Sequence, residues 1–143
     1  MLPRSVRLLP PVHDAMCAAA VAAMPREFAG ILGGARSDGE ITVHRMTALP
    51  AGATEDHFDV PAAAFAAGEA ELRALGCTWV GFAHSHPRGA AAPSLRDRAS
   101  LWRDCLQLIV AVRANLTPHT AAFWLTAHAA VPLPLHVVTE ATP

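Results

Sequence analysis

The chain has 143 residues, 52% hydrophobic and 16% charged, with a formal net charge of -1. That is enough apolar material for one folded domain over residues 1–143 and too little length for a second core. No run of Lys or Arg supplies the electrostatic footprint that nucleic acid or an anionic membrane requires, and the absence of any lysine excludes Schiff-base and lysine general-base chemistry.

In chain order, Arg4 and Arg7 precede an apolar stretch from Ala15 to Met24 in the manner of a signal peptide. Pro10, Pro11, His13 and Asp14 interrupt it, however, and it is too short to span a bilayer. The protein is therefore read as cytoplasmic. The Ala-rich run Val12 to Met24 predicts a helix stopped by Pro25. Phe28 to Leu32 and Ile41 to Leu49 predict a β-hairpin, separated by Gly33, Gly34 and the turn Ser37-Asp38-Gly39. A short strand at His57 to Val60 follows, then a second helix opened by Pro61 and closed by Gly76. Cys77 to Ala83 predicts a buried strand running directly into His84-Ser85-His86-Pro87. After a loop rich in Gly, Ala and Pro come a third helix over Ser94 to Cys105 and strands at Leu108 to Val112, Ala121 to Thr126 and Leu135 to Val138. This order describes an α/β fold, sandwich-like, with a mixed sheet flanked by helices. Cys17, Cys77 and Cys105 are odd in number and contain no CxxC pair, which predicts buried thiols in a reducing compartment.

The chemistry concentrates after the buried strand. Residues two apart on a strand share a face, so His84 and His86 can aim both imidazoles at one point. Imidazole nitrogens suit zinc (Zn2+), and a catalytic zinc takes three protein ligands and leaves a fourth position for water. Asp97, in the first turn of the third helix, can fold back to supply the third, with Ser94 one helical turn before it on the same face. Ser94 and Asp97 also read as an ordinary S-x-x-D helix start, a role compatible with the first. His13, His44, His57, His119, His128 and His136 have no companion at ligand spacing and read as structural or exposed.

The stretch HSHPRGAAAPSLRD, with seven residues from Pro87 to Pro93 between His-x-His-bearing strand and Ser-x-x-Asp, resembles the signature of the JAMM/MPN+ metalloproteases. The resemblance extends over roughly residues 12 to 125 and includes EFAGILGG, HFDVPAAAF and WVGFAHSHP. It implies an MPN/cytidine-deaminase-like α/β fold with a mixed, mostly antiparallel sheet. It further implies zinc on His84, His86 and Asp97, oxyanion stabilisation by Ser94, and a water-activating glutamate that resembles Glu27. Glu40, Glu55, Asp56, Glu69 and Glu71 fit that last role less well, lying in turns, a polar loop or an exposed helix face, whereas a solvated Glu27 between helix and strand is its bland alternative.

Two barrel hydrolase classes, the amidohydrolases and the polymerase-and-histidinol-phosphatase phosphoesterases, also place His-x-His at a strand end, but a (β/α)8 barrel needs about 250 residues. A nucleophile triad lacks its Gly-x-Ser-x-Gly. The resemblance thus implies a zinc peptidase or isopeptidase of minimal prokaryotic form. Its expected partner is a ubiquitin-like or sulfur-carrier protein with a Gly-Gly tail, met through pairing of an extended tail with an exposed strand edge. A catalytically silent MPN-type scaffold and a general small-peptide metallohydrolase are the alternatives, and the oligomeric state is not encoded in any recognisable pattern.

Overall fold

A computed structural model describes residues 2–49, 60–100, 102–113 and 117–138. Its elements are β1 (Ser5–Leu8), α1 (Pro10–Ala23), β2 (Ala29–Ser37), β3 (Glu40–Ala48), α2 (Ala62–Ala74), β4 (Thr78–His86), α3 (Leu95–Ser100), β5 (Leu106–Ala111), β6 (His119–Leu125), β7 (Ala130–Leu133) and β8 (Leu135–Val137). The strands form one sheet in the order β7-β6-β5-β4-β2-β3-β1-β8. Neighbours are antiparallel at β7/β6, β6/β5, β4/β2 and β2/β3, and parallel at β5/β4, β3/β1 and β1/β8. The mixed, mostly antiparallel sheet expected from the resemblance is what the chain forms.

Side-chain alternation divides this sheet into two buried faces. Leu32 of β2 and Ala83 of β4 join Val12, Met16 and Ala20 of α1 in one core. Their neighbours Ile31 and Phe82 join Leu72 of α2, Phe65, Trp79 and Cys105 in the other. The buried residues of α1 recur every four positions, so one stripe of the helix meets the sheet, and Pro10 and Pro11 occupy its start, where no intrahelical N–H bond is lost. On the opposite face, Phe65, Trp79, Phe82 and Trp102 pack ring to ring with centroids 4.7–6.0 Å apart. Phe82 is fully buried here, and truncating such a ring to Ala costs about 3–5 kcal/mol.

Several expectations are corrected. Ahead of the first helix the chain forms a strand that the sequence reading did not include, β1, and Val6 and Leu8 of β1 lie in the core with Met16 and Ala20 of α1. Gly33 and Gly34 do not separate the hairpin strands: β2 runs through them to Ser37, and the turn is at Asp38 and Gly39, both at positive φ. The pairing slips at these glycines, between Leu32 and Gly33 on the β4 side and between Gly33 and Gly34 on the β3 side. A Cβ on Gly34 would come within 1.9 Å of the Thr42 carbonyl oxygen, and one on Gly33 within 2.6 Å of Leu72; bulges with bare backbone are what allow β2 to pass here.

The third helix ends at Ser100 instead of Cys105. Asp104 adopts φ 58°, outside the helical region, and its N–H donates to the Leu125 carbonyl, turning the chain toward β5. Of the three cysteines, all free, Cys105 is buried while Cys17 and Cys77 are half-buried. The strand expected at His57 to Val60, and the polar loop with Glu55 and Asp56, fall outside the described residues except for Val60, which is not in a strand. Among the described residues no helix is long and apolar enough to cross a membrane.

Candidate metal centre

Strand β4 is buried from Gly81 to His86, bonded to β2 on one side and β5 on the other. By alternation His84 and His86 share the Phe82 face, the one covered by α2 and α3. Glu27, two residues before Ala29 and four before Ile31, approaches from the start of β2 on that same face. The loop from Pro87 then reverses the chain so that α3 lays Asp97 over the two rings.

Glu27, His84, His86 and Asp97 each contribute one donor atom to a group in which all lie within 4.8 Å of one another. His84 is 0% exposed, Asp97 2%, Glu27 4% and His86 9%. Asp97 Oδ2 lies 3.2 Å from His84 Nε2 and 2.9 Å from His86 Nε2, and the two ring nitrogens are 3.1 Å apart. Ring nitrogens and a carboxylate oxygen all present lone pairs, so their convergence in a buried place suits a cation. Donors around a tetrahedral ion with bonds of about 2.0–2.1 Å stand about 3.3 Å apart, close to these spacings. The donor set fits a metal.

Two further contacts orient the donors. His86 Nδ1–H donates to the Ala90 carbonyl at 2.8 Å, which turns Nε2 toward Asp97. Asp97 is held by a reciprocal pair of bonds with Ser94: the Ser94 N–H donates to Asp97 Oδ2 and the Asp97 N–H donates to Ser94 Oγ, each at 3.0 Å. This is the helix-start arrangement anticipated from S-x-x-D, and the Arg98 N–H closes the first turn onto the Ser94 carbonyl. Because Ser94 Oγ accepts in the cap, its own proton remains available to donate elsewhere.

Electrostatics follow from burial and from these partners. For Asp97, burial opposes ionisation, but the hydrogen bonds from His84 and His86 outweigh it and hold the carboxyl well below the usual carboxylate range. Burial lowers the His84 pKa more than Asp97 raises it. At His86 burial is outweighed by the bonds to Asp97 and Ala90 and by the charges of Asp97 and Glu27, so the pKa rises.

The structure thus brings Glu27, His84, His86 and Asp97 together and places Ser94 behind Asp97 as its cap. The histidines set aside stay apart: His44, His119, His128 and His136 are exposed and His13 is half-buried, while His57 lies outside the described residues. Sequence reasoning missed the Ala90 carbonyl and Ser85. No residue type marks a backbone acceptor in advance, and the part Ser85 plays depends on a strand register that spacing does not reveal.

A solution structure of a protein from Desulfitobacterium hafniense is similar to this chain with a TM-score of 0.86 and 24% identity, covering 94% of each chain. One from Salinibacter ruber has a TM-score of 0.68 and 20% identity, covering 96% of this chain and 94% of the other. The crystal structure of a JAB1/MPN domain protein from Archaeoglobus fulgidus has a TM-score of 0.57 and 18% identity, covering 94% of this chain and 97% of the other. At these identities the likeness establishes the fold alone. No curated protein matches the chain. The family described as prokaryotic homologs of the JAB domain matches residues 9–127, and with the mixed sheet and the buried His, His and Asp cluster in place, the chain belongs to that family.

Proposed function

We propose that this JAB-domain protein is a zinc-dependent peptidase or isopeptidase that hydrolyses the amide bond after the C-terminal Gly-Gly of a ubiquitin-like or sulfur-carrier protein. The observation that carries the reading is the buried convergence of Glu27 with His84, His86 and Asp97. In it, His84, His86 and Asp97 would hold the ion, which when bound would supply Lewis-acid polarisation and acidify a water near neutral pH. Glu27 takes the proton from the attacking water and returns it to the leaving nitrogen, so that a carboxylate and an amine are released. The Ser94 hydroxyl donates to the oxygen that gains negative charge. Three cysteines free of disulfides accord with a cytoplasmic setting.

Support for a slender substrate comes from burial. With every member of the cluster at most 9% exposed, a segment without side chains reaches it most readily, and glycine is that segment. Pairing of the tail with an exposed strand edge would not use the site strand. β4 is hydrogen-bonded on both sides, and even the His86 carbonyl is taken by the Val112 N–H. The sheet ends instead at β7 and β8.

The test gives the zinc-loaded protein a carrier extended beyond Gly-Gly, beside a version with both glycines replaced by Val, and follows products by mass spectrometry. Cleavage of the first alone is expected. Equal cleavage of both, or consumption of unrelated short peptides only, replaces the carrier by general peptides. Zinc uptake with no hydrolysis of any amide leaves a silent module.

A further inference from the structure

Ser85 stands between the two histidines, fully buried, and its contacts depart from an ordinary ladder. In the β2/β4 pairing Ala29 lies opposite His84, so the next pair outward is Phe28 with Ser85, and the one after that would be Glu27 with His86. The Ser85 N–H donates to the Phe28 carbonyl at 2.9 Å, as a ladder residue should. The Phe28 N–H, however, donates at 2.7 Å to the Ser85 hydroxyl oxygen. A side-chain oxygen thus accepts where an antiparallel pair would ordinarily use the main-chain carbonyl. β2 begins as a regular strand one residue later, at Ala29, and Glu27 stands immediately before the substituted bond.

The geometry has a consequence for the cluster. Directly opposed residues in an unbroken antiparallel pair hold their Cβ atoms about 4.5–5.5 Å apart, which would press Glu27 onto His86. With the hydroxyl as the acceptor, the incoming segment is fixed by a bond to a side chain of β4 and not by the continuing ladder. We propose that Ser85 is the positioning residue that sets where the Glu27 carboxylate stands relative to His84, His86 and Asp97, by holding the Phe28 N–H on its hydroxyl. The inference rests on the reading of Glu27 as the proton-transferring group. Ser85 acts through the backbone one residue from Glu27.

The experiment compares Ser85→Ala, Ser85→Thr and the parent, each alone and with Glu27→Gln. Zinc affinity, kcat and KM on the extended carrier, and hydrogen exchange of the Phe28 amide are measured on each. In Ser85→Ala, zinc affinity stays within about threefold because the three donors are untouched. The Phe28 amide exchanges faster, and kcat falls about 10- to 100-fold at nearly constant KM, since a misplacement of about 1 Å can cost on the order of 10²-fold. Ser85→Thr, which keeps the hydroxyl, restores both kcat and protection. In the Glu27→Gln background Ser85→Ala costs nothing further, as expected of residues acting as one unit. An unchanged kcat in Ser85→Ala, an equal loss with and without Glu27, or unchanged Phe28 exchange overturns the assignment. If the parent hydrolyses no carrier, the proposed function fails by itself. The assignment is then decided by Phe28 exchange and by crystal structures of the variants, where an unmoved Glu27 carboxylate in Ser85→Ala refutes it. Should Ser85→Ala not fold, Ser85→Cys, a far weaker acceptor, replaces it with the same expected and overturning results.

Discussion

The imidazole of His86 donates its Nδ1 proton to the carbonyl of Ala90, four residues along the same chain. A carbonyl can only accept, so this bond places a proton on Nδ1 and leaves Nε2 to face the cluster. The loop that presents Ala90 passes through Gly89 at φ 95°, a conformation that an L side chain adopts at a cost of about 1–2 kcal/mol. Nothing stands within 4 Å of the place a Cβ would occupy, so Gly89→Val acts through the backbone alone. Because partners that orient a ligating histidine are worth about 10- to 100-fold in affinity, Gly89→Val should weaken zinc binding at the lower end of that range with the fold intact. Equilibrium titration against a chromophoric chelator reads it.

Removing the donors themselves should be far more severe. His84→Ala, His86→Ala and Asp97→Ala are expected to abolish stoichiometric zinc, measured by elemental analysis after gel filtration, whereas Glu27→Gln keeps the metal. That variant preserves shape but cannot take a proton, so turnover should fall about 10²- to 10⁴-fold. Zinc retention in the first three would move the site elsewhere.

Ser94 joins two roles that one substitution separates. Ser94→Ala removes the acceptor of the Asp97 N–H, and loss of a helix cap costs about 0.5–2 kcal/mol. Loss of an oxyanion donor would in addition slow turnover by about 10²- to 10³-fold. Thermal melts and initial rates on the same preparation distinguish them: a lowered Tm with a parental rate leaves Ser94 as a cap only.

The metal-free protein should lose stability in acid. Asp97 has its folded pKa depressed by the two histidines, so its contribution is fully present above the unfolded value of about 3.9 and is lost as pH falls toward the folded value. The histidines oppose one another. His86, with a raised pKa, stabilises below about 6.5 and loses that as pH rises through its folded value. His84, with a lowered pKa, does the reverse. Melting temperature should therefore change little around neutrality and drop steeply below about pH 4. Zinc affinity should already decline below about pH 6.5, because imidazoles must shed protons to ligate.

The Cys105 thiol is pushed up to about 12, chiefly by burial, and thiolate is the reactive form. Iodoacetamide at pH 8 should modify Cys105 in the native protein far more slowly than in guanidinium, with peptide mapping as the readout. Labelling at equal rates in both would show that β5 opens readily.

The candidate site was the most legible part of this sequence because three of its donors lie within fourteen consecutive residues, on a strand end and a helix start whose periodicities are local. Glu27 was different. Local context only demotes its rivals, Glu40 to a hairpin turn and Glu71 to an exposed helix face, and the resemblance of EFAGILGG is what points to Glu27; its approach to the histidines depends on β2 pairing with β4. The missed strands have separate causes. β1 has four residues, and its partners β3 and β8 lie far along the chain. β7 carries Pro132, which loses a ladder donor and is tolerated on an edge strand. The glycine pair was read as a break because bare backbone usually marks a turn, whereas here crowding by Leu72 and Thr42 demands it.

The separation between Glu27 and the other three donors also bears on the newborn chain. A histidine, a histidine and an aspartate that are neighbours in sequence can meet a metal as soon as one short loop closes, a step of low entropic cost. The glutamate joins them only when a strand from the first quarter of the protein has found its distant partner, the kind of contact that forms slowly. Under the proposed function, metal capture and proton transfer would consequently be acquired at different moments, and a half-folded molecule already carrying an ion would have no means of cutting its neighbours.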